Sequence, residues 1–170
     1  MEPVVLVTYA TRSGSTKEVA QAIAEMLRQE GLVVTVQSVR EVKSLEQYGA
    51  VLLGAALYMG RLHKHARQFL SSHLEGLMKM PVAMFVLGPV EKTEKDWMAA
   101  REQLEKELAN YPWLSPVAKQ IVGGKFDPSK MGFPFNLILK KMQVKDALDW
   151  PAIRALAHDL SATFNAALQR

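Results

Sequence analysis

The sequence has 170 residues and a net charge of +4; 49% of its residues are hydrophobic and 22% are charged. These values are typical of one globular domain, and they exclude a disordered or fibrous chain. The absence of cysteine excludes disulfides, thiolate nucleophiles and cysteine-ligated iron–sulfur clusters, so any redox chemistry must rely on a bound cofactor.

Short apolar runs alternate with amphipathic segments along the chain. The first run, residues 4–9, is rich in valine and apolar throughout, as in a strand buried on both faces. Further strands are predicted at residues 32–39, 51–57, 82–87 and 117–122. Helices are predicted at residues 16–30, 63–77 and 93–109 and from about residue 151 onward, while residues 42–48 have room for at most a short helix. This alternation predicts an open parallel sheet with helices on both faces.

An insertion at residues 124–148, before the last helix, is too long for an ordinary connection in such a fold. The stretch 116–145 holds six lysines and one acidic residue, Asp127. This basic patch indicates an anionic lipid, an acidic partner or an anionic substrate, unless it is a solvated face without a partner. We predict that residues 126–145, with a two-turn helix at 135–142, contact a membrane surface or an apolar substrate. The alternative is that this helix packs on the sheet edge.

A polar loop joins the first strand to the first helix and consists of Thr11, Arg12, Ser13, Gly14, Ser15 and Thr16. A helix N-terminus attracts phosphate, glycine allows close approach of the backbone, and the hydroxyl groups add donors. The chain lacks the glycine spacing of a P-loop or a Rossmann fingerprint here. The loop therefore predicts a site that binds phosphate by hydrogen bonds without lysine or metal; the alternative is a turn that only caps the helix.

The pattern T-x-S-G-x-T after the first strand resembles the FMN-phosphate signature of flavodoxins, and the order of strands and helices agrees over nearly the whole chain. The resemblance implies a single flavodoxin-like α/β domain, residues 1–170. Its fold would be a three-layer sandwich with a five-stranded parallel sheet in the order 2-1-3-4-5. It also implies non-covalent FMN, with the phosphate enclosed by residues 11–16. In open α/β sheets the ligand lies at the carboxyl ends of the strands.

Two further loops would flank the flavin ring, as implied by the same resemblance. Tyr58, Met59 and Gly60, after the third strand, would lie on one side, with Tyr58 stacking on the ring or covering its edge and Gly60 lending a peptide that flips with redox state. The other side would be lined by Gly88, Pro89, Val90 and Glu91. Many flavodoxins place an aromatic residue in this second loop, and this chain has none there.

A more specific resemblance is to the flavodoxin-like, quinone-dependent protoporphyrinogen oxidases of bacteria. It rests on the segments 60–64 and 123–128, on the basic and apolar stretch that follows, and on Asp149 and Trp150. That family usually has Arg-Tyr before the glycine where this chain has Tyr58 and Met59. In that family the insertion helps to confer activity beyond electron carriage.

Three functions follow as alternatives: an FMN oxidoreductase passing electrons from a bulky apolar substrate to a quinone, an electron-carrier flavodoxin shuttling electrons between proteins, or a module binding another phosphate. The basic insertion favours the first, since electron-carrier flavodoxins are acidic. We expect a small-molecule substrate or a redox partner protein, no nucleic acid and no metal. The chain shows no targeting segment, which favours a cytoplasmic protein, peripheral on the inner face of the membrane if the insertion binds lipid.

Overall fold

The structure is a computed structural model that describes residues 2–12, 14–90, 93–126 and 145–169. Its strands are β1 (Val4–Ala10), β2 (Val33–Ser38), β3 (Tyr48–Tyr58), β4 (Arg61–Leu62), β5 (Val82–Leu87), β6 (Ala118–Val122), β7 (Lys125–Phe126) and β8 (Lys145–Asp146). Its helices, within the described residues, are α1 (Ser15–Gln29), α2 (Lys64–Ser72), α3 (Leu74–Leu77), α4 (Glu94–Leu108) and α5 (Trp150–Leu168).

The main sheet has the order β2-β1-β3-β5-β6, with all neighbours parallel, and the two-residue strand β4 pairs antiparallel with the end of β3. The sequence did not predict β4. The five parallel strands otherwise follow the predicted order 2-1-3-4-5, and the prediction of a flavodoxin-like α/β sandwich is confirmed.

The sheet is buried on both faces, because alternate residues of its central strands enter two separate cores. On β1, Val5 and Val7 pack with α1 and α5, whereas Leu6 packs with α2 and α4. Gly54 on β3 leaves room for the Phe85 ring, since a Cβ there would lie 2.1 Å from a ring carbon. Together the two cores place helices on both sides of the sheet and leave the carboxyl edge to the loops.

Two predicted helix starts are confirmed by their capping bonds. The Thr93 hydroxyl oxygen accepts a hydrogen bond from the Asp96 N–H at the start of α4, and the Asp149 carboxylate accepts one from Ala152 at the start of α5. Pro151 lies in the first turn of α5, where its missing N–H costs no helical bond.

The predicted helix at residues 63–77 is wrong as a single element. It begins at Lys64 and is interrupted at His73, which separates α2 from α3. His73 has φ −114° and ψ 21°, outside the range of an α-helix, so the helix breaks there although the His73 ring still lies 4.8 Å from the Phe69 ring. Residues 42–47 form irregular structure and a turn, with no helix, and Tyr48 begins β3.

Candidate functional site

Three of the predicted loops meet at one edge of the sheet. Ala10, at the end of β1, pairs with Ala55, and Leu87, at the end of β5, pairs with Ala56. The loops that start at Thr11, Met59 and Gly88 therefore leave the sheet side by side. Two predicted site residues, Ser13 and Glu91, lie outside the described residues.

The N-terminus of α1 has the features of an anion site. Gly14 is the N-cap residue, with φ +93°, and its carbonyl accepts the bond from Glu18. The N–H groups ahead of Glu18 have no earlier helical carbonyl to bond. A Cβ placed on Gly14 would meet none of the described protein atoms within 4 Å, so the space beside Gly14 is open. The arrangement fits a phosphate group.

The hydroxyl groups of the loop differ in what they contribute. The Thr11 oxygen accepts a hydrogen bond of 2.8 Å from the Gly14 N–H and so closes the turn. Thr16 is buried, with 2% of its surface exposed, in the first turn of α1, while Ser15 is half-buried. Thr11 shapes the loop, and Thr16 and Ser15 are placed within the first turn of the helix.

The Arg12 side chain links the first loop to the second. Its guanidinium carbon lies 5.1 Å from the centre of the Tyr58 ring, a cation–π contact. Tyr58 remains 57% exposed and Met59 90% exposed. Two residues predicted from separate parts of the sequence are thus in direct contact.

The second loop is a tight hairpin between β3 and β4. Tyr58 pairs with Arg61, and the two residues between them, Met59 and Gly60, have φ of +50° and +79°. Positive φ at both central positions is the pattern of a type I′ turn. Glycine adopts it freely, but methionine rarely does, and such strain tends to occur at functional sites.

The third loop is tied to the end of β6. The Gly88 N–H donates to the Val122 carbonyl and the Gly124 N–H donates to the Pro89 carbonyl, both at 2.8 Å. A Cβ on Gly124 would lie 2.5 Å from the Gly88 oxygen. Val90 is half-buried beside them. The glycine pair 123–124 is therefore needed for close backbone approach, a role that the double glycine after an apolar strand could have suggested.

The two ends of the insertion lie near the phosphate loop. β7 and β8 pair antiparallel, and Lys125 on β7 forms ion pairs of 3.7 Å with Glu18 and 3.9 Å with Asp146. Glu18 belongs to the first turn of α1. The predicted helix at 135–142 and its lysines lie outside the described residues.

His63 is a site neighbour that was not among the predicted site residues. It caps α2, and its Nδ1 accepts a hydrogen bond from the His65 N–H, so the ring proton sits on Nε2. Burial lowers the pKa of His63 below its ordinary value, and the charges of His65, Arg12 and Arg67 lower it further. The imidazole is therefore neutral at neutral pH.

A buried carboxylate, Glu107 on α4, supports the hairpin from below. It is 3% exposed; one oxygen accepts a bond from the Leu62 N–H, and the other lies 3.7 Å from Nε of Arg61. No local pattern marked this residue, because its partner peptide lies 45 residues away.

Among the described residues, no group of three or more His, Asp or Glu side chains could hold a metal ion. In the same residues, no helix is long and apolar enough to span a membrane.

Comparison with known proteins agrees with this architecture. Residues 6–147 match the flavodoxin domain family, and the chain belongs to that family. The protoporphyrinogen IX dehydrogenase [quinone] of Escherichia coli K12 is 30% identical over 121 residues, covering 69% of this chain and 67% of that one. The Leishmania major protein of the same name is 27% identical over 174 residues, covering 94% of this chain and 75% of that one.

Solved structures confirm the fold. Oxidised flavodoxin 1 from Bacillus cereus superposes with a TM-score of 0.56 at 17% identity, covering 97% of this chain and 98% of that one. The predicted resemblance to flavodoxins and to quinone-linked protoporphyrinogen oxidases is therefore confirmed. Membership of the flavodoxin family implies FMN as the cofactor, in agreement with the sequence prediction.

Proposed function

We propose that the chain is an FMN-dependent oxidoreductase that passes electrons from a porphyrinogen-like substrate to a quinone. The observation that carries the proposal is the contact of Arg12 with the Tyr58 ring. It joins the open helix N-terminus to the exposed hairpin, so that a phosphate and a flat ring can be bound at one edge of the sheet.

In this proposal the phosphate of FMN is held by residues 11–16, through the open N–H groups of α1 and the hydroxyl groups of Thr11, Ser13, Ser15 and Thr16. Tyr58, Met59 and Gly60 flank one side of the isoalloxazine ring. Gly88, Pro89, Val90 and Glu91 flank the other side. Bound FMN supplies a two-electron acceptor and donor, which the cysteine-free chain otherwise lacks.

Two observations support an enzyme over an electron carrier. The loop from Gly88 to Lys92 contains no aromatic residue to cover the second face of the ring, which leaves room for a substrate. The surface next to the hairpin carries Arg61, Lys64 and Arg67, in contrast to the acidic docking face expected for an electron carrier.

The relatives named protoporphyrinogen IX dehydrogenase [quinone] suggest the substrate and the acceptor. In each two-electron step the substrate would lose two electrons and two protons, and one quinone would take them up to form its quinol. We also propose that residues 126–145 bring the protein to a membrane surface, where quinones are dissolved.

The test is anaerobic oxidation of protoporphyrinogen IX by the purified flavin-loaded protein, followed by protoporphyrin fluorescence. We expect porphyrin to form only when both protein and a quinone are added. Porphyrin formation no faster than in the protein-free control, by a protein that still exchanges electrons with a partner flavodoxin reductase, would contradict the proposal and favour the electron carrier.

A further inference from the structure

A cationic groove lies beside the hairpin, on the face of the sheet covered by α2 and α4. It encloses about 530 Å³ and is lined by Arg61, Lys64, Arg67, Gln68, Ser71 and Tyr111, among others. Among the described residues, its lining holds three cations and no acidic residue. A larger cavity of about 870 Å³ lies at the opposite edge of the sheet, near Tyr48 and Gly49, and its lining mixes both charges, Lys43 and Lys79 with Glu46 and Glu75.

Leu62 and the buried Glu107 together hold the two arginines in place. Leu62 donates its N–H to the buried Glu107 carboxylate, which also lies 3.7 Å from Nε of Arg61. The Leu62 carbonyl accepts a hydrogen bond of 3.1 Å from Nε of Arg67. Both guanidinium groups are thus anchored through Nε. Within the described residues their terminal nitrogens form no hydrogen bond or ion pair, so the paired donors of each remain available.

The remaining lining groups suit an anion as well. Lys64 and Arg67 are three residues apart on α2 and share one helix face. Burial and the nearby Glu107 charge raise the pKa of Tyr111, so its hydroxyl keeps its proton and can donate. The buried Glu107 carboxylate lies near Arg61 and Tyr111 but is not among the described residues that line the groove.

We propose that this groove binds the carboxylate groups of the substrate. The inference rests on the proposed function and adds the part of the substrate that is recognised. A guanidinium matches a carboxylate with two parallel hydrogen bonds. The volume is in the range of small-molecule sites, and Arg61 pairs directly with Tyr58 of the hairpin. A porphyrinogen with its two propionates in the groove could therefore extend its apolar body toward the hairpin.

The experiment compares protoporphyrin IX with its dimethyl ester, in one detergent, by fluorescence titration of the flavin-loaded protein. We expect the diacid to bind at least about tenfold more tightly than the diester. Arg67→Gln should weaken diacid binding by about tenfold, and the exposed Lys64→Gln by about threefold, without changing diester binding. Arg154→Gln, which removes an exposed cation from α5 on the other face, is the matched control and should bind both as the parent does.

Equal affinity for diacid and diester, or unchanged diacid binding in both groove variants, would overturn the proposal. A second contradicting result would be that poly-L-glutamate binding depends on Lys64 and Arg67 whereas porphyrin binding does not. The cations would then bind an acidic protein. Failure of the proposed function is seen separately, as tight diacid binding without quinone-dependent oxidation. If the proposed function is correct but the groove does not bind the carboxylates, the KM values for the diacid and diester porphyrinogens should be equal.

Discussion

The two proposed anion sites lie near the same sheet edge and differ in their chemistry. The loop at residues 11–16 offers backbone N–H groups and hydroxyl groups in front of α1, with an open space at Gly14. The groove beside α2 offers the side-chain charges of Arg61, Lys64 and Arg67. The first is built from fixed, largely neutral donors and the second from screened cations.

This difference in chemistry suits two kinds of ligand, a cofactor that stays bound and a substrate that exchanges with solution. Fixed backbone donors need no reorganisation and hold a phosphate with defined geometry, which suits a cofactor that stays bound. Exposed cations act over a longer range, attract an anionic ligand from solution and weaken with salt, which suits a substrate that must leave. Substitutions and changes in salt concentration can distinguish the two sites. We expect the largest effect, several kcal/mol, on FMN binding and the smallest on the weak attachment to membranes.

The largest effect is expected for Gly14→Val. A side chain at φ +93° is strained, and it would occupy the open space reserved for the phosphate, so more than one charged hydrogen bond is lost. We expect FMN affinity to fall by at least about 3 kcal/mol, measured by quenching of flavin fluorescence.

Gly31→Val is the matched control for that change. Gly31 has φ +95° at the other end of α1, and a Cβ on this residue would also meet no atom within 4 Å. Both variants should lose similar stability, about 1–2 kcal/mol from the backbone alone. Equal FMN affinities in the two variants would show that the loss at Gly14 is structural and that the phosphate lies elsewhere.

Thr16→Ala should have the next largest effect. The buried hydroxyl is a donor to a charged phosphate in the proposed site, and its loss should weaken FMN binding by about 1.5–3 kcal/mol. Thr16→Ser keeps the hydroxyl and should bind FMN nearly as the parent does. An unchanged affinity for Thr16→Ala would remove this residue from the phosphate site.

Salt should distinguish the two sites directly. Raising the sodium chloride concentration from about 0.1 M to about 1 M shortens the screening length from about 10 Å to about 3 Å. Titrations at both concentrations should show protoporphyrin IX binding weakened several-fold and FMN affinity changed far less. The reverse pattern would mean that the roles of the loop and the groove have been exchanged.

The smallest effect is expected for membrane contact through residues 126–145. The protein should co-sediment with vesicles of anionic lipid at low salt, with each lysine near the surface contributing about 1 kcal/mol. Changing Lys140 and Lys141 to glutamate should release it, whereas Arg154→Gln should not. If the protein did not co-sediment at any salt concentration, residues 126–145 would not bind a membrane, and the groove would be the remaining role for the basic charge of this chain. The quinone-linked proposal would then be weakened.

Local patterns were sufficient for most of the fold. The apolar runs defined the five parallel strands, and the polar loop after β1 marked the edge at which three candidate loops meet. Residues that act through distant partners could not be predicted in this way. The β4 strand has only two residues and depends on a methionine at positive φ. The Arg12–Tyr58 contact joins two loops that are far apart in sequence. The partner of the buried Glu107 is the Leu62 N–H, 45 residues away along the chain.

The break at His73 is a further example. The apolar spacing predicted one long helix, but spacing does not reveal the local backbone of His73, whose φ of −114° and ψ of 21° interrupt the helix. Two departures from the predicted elements, β4 and the break at His73, lie along the hairpin and α2, where the cationic groove also lies. The short strands β7 and β8 were not predicted either, and Lys125 of β7 contacts Glu18 of α1. Local rules are most often broken at functional sites, where the surrounding structure compensates.

The identity and amount of the bound flavin test the central claim most directly. The protein should be purified without added cofactor, incubated with equimolar FMN and FAD, freed of excess ligand and denatured. Chromatography of the supernatant should then recover FMN at about one equivalent per chain, with little FAD, because the loop at residues 11–16 offers one phosphate site. Recovery of FAD alone, or of no flavin, would contradict the assignment of this edge of the sheet to FMN.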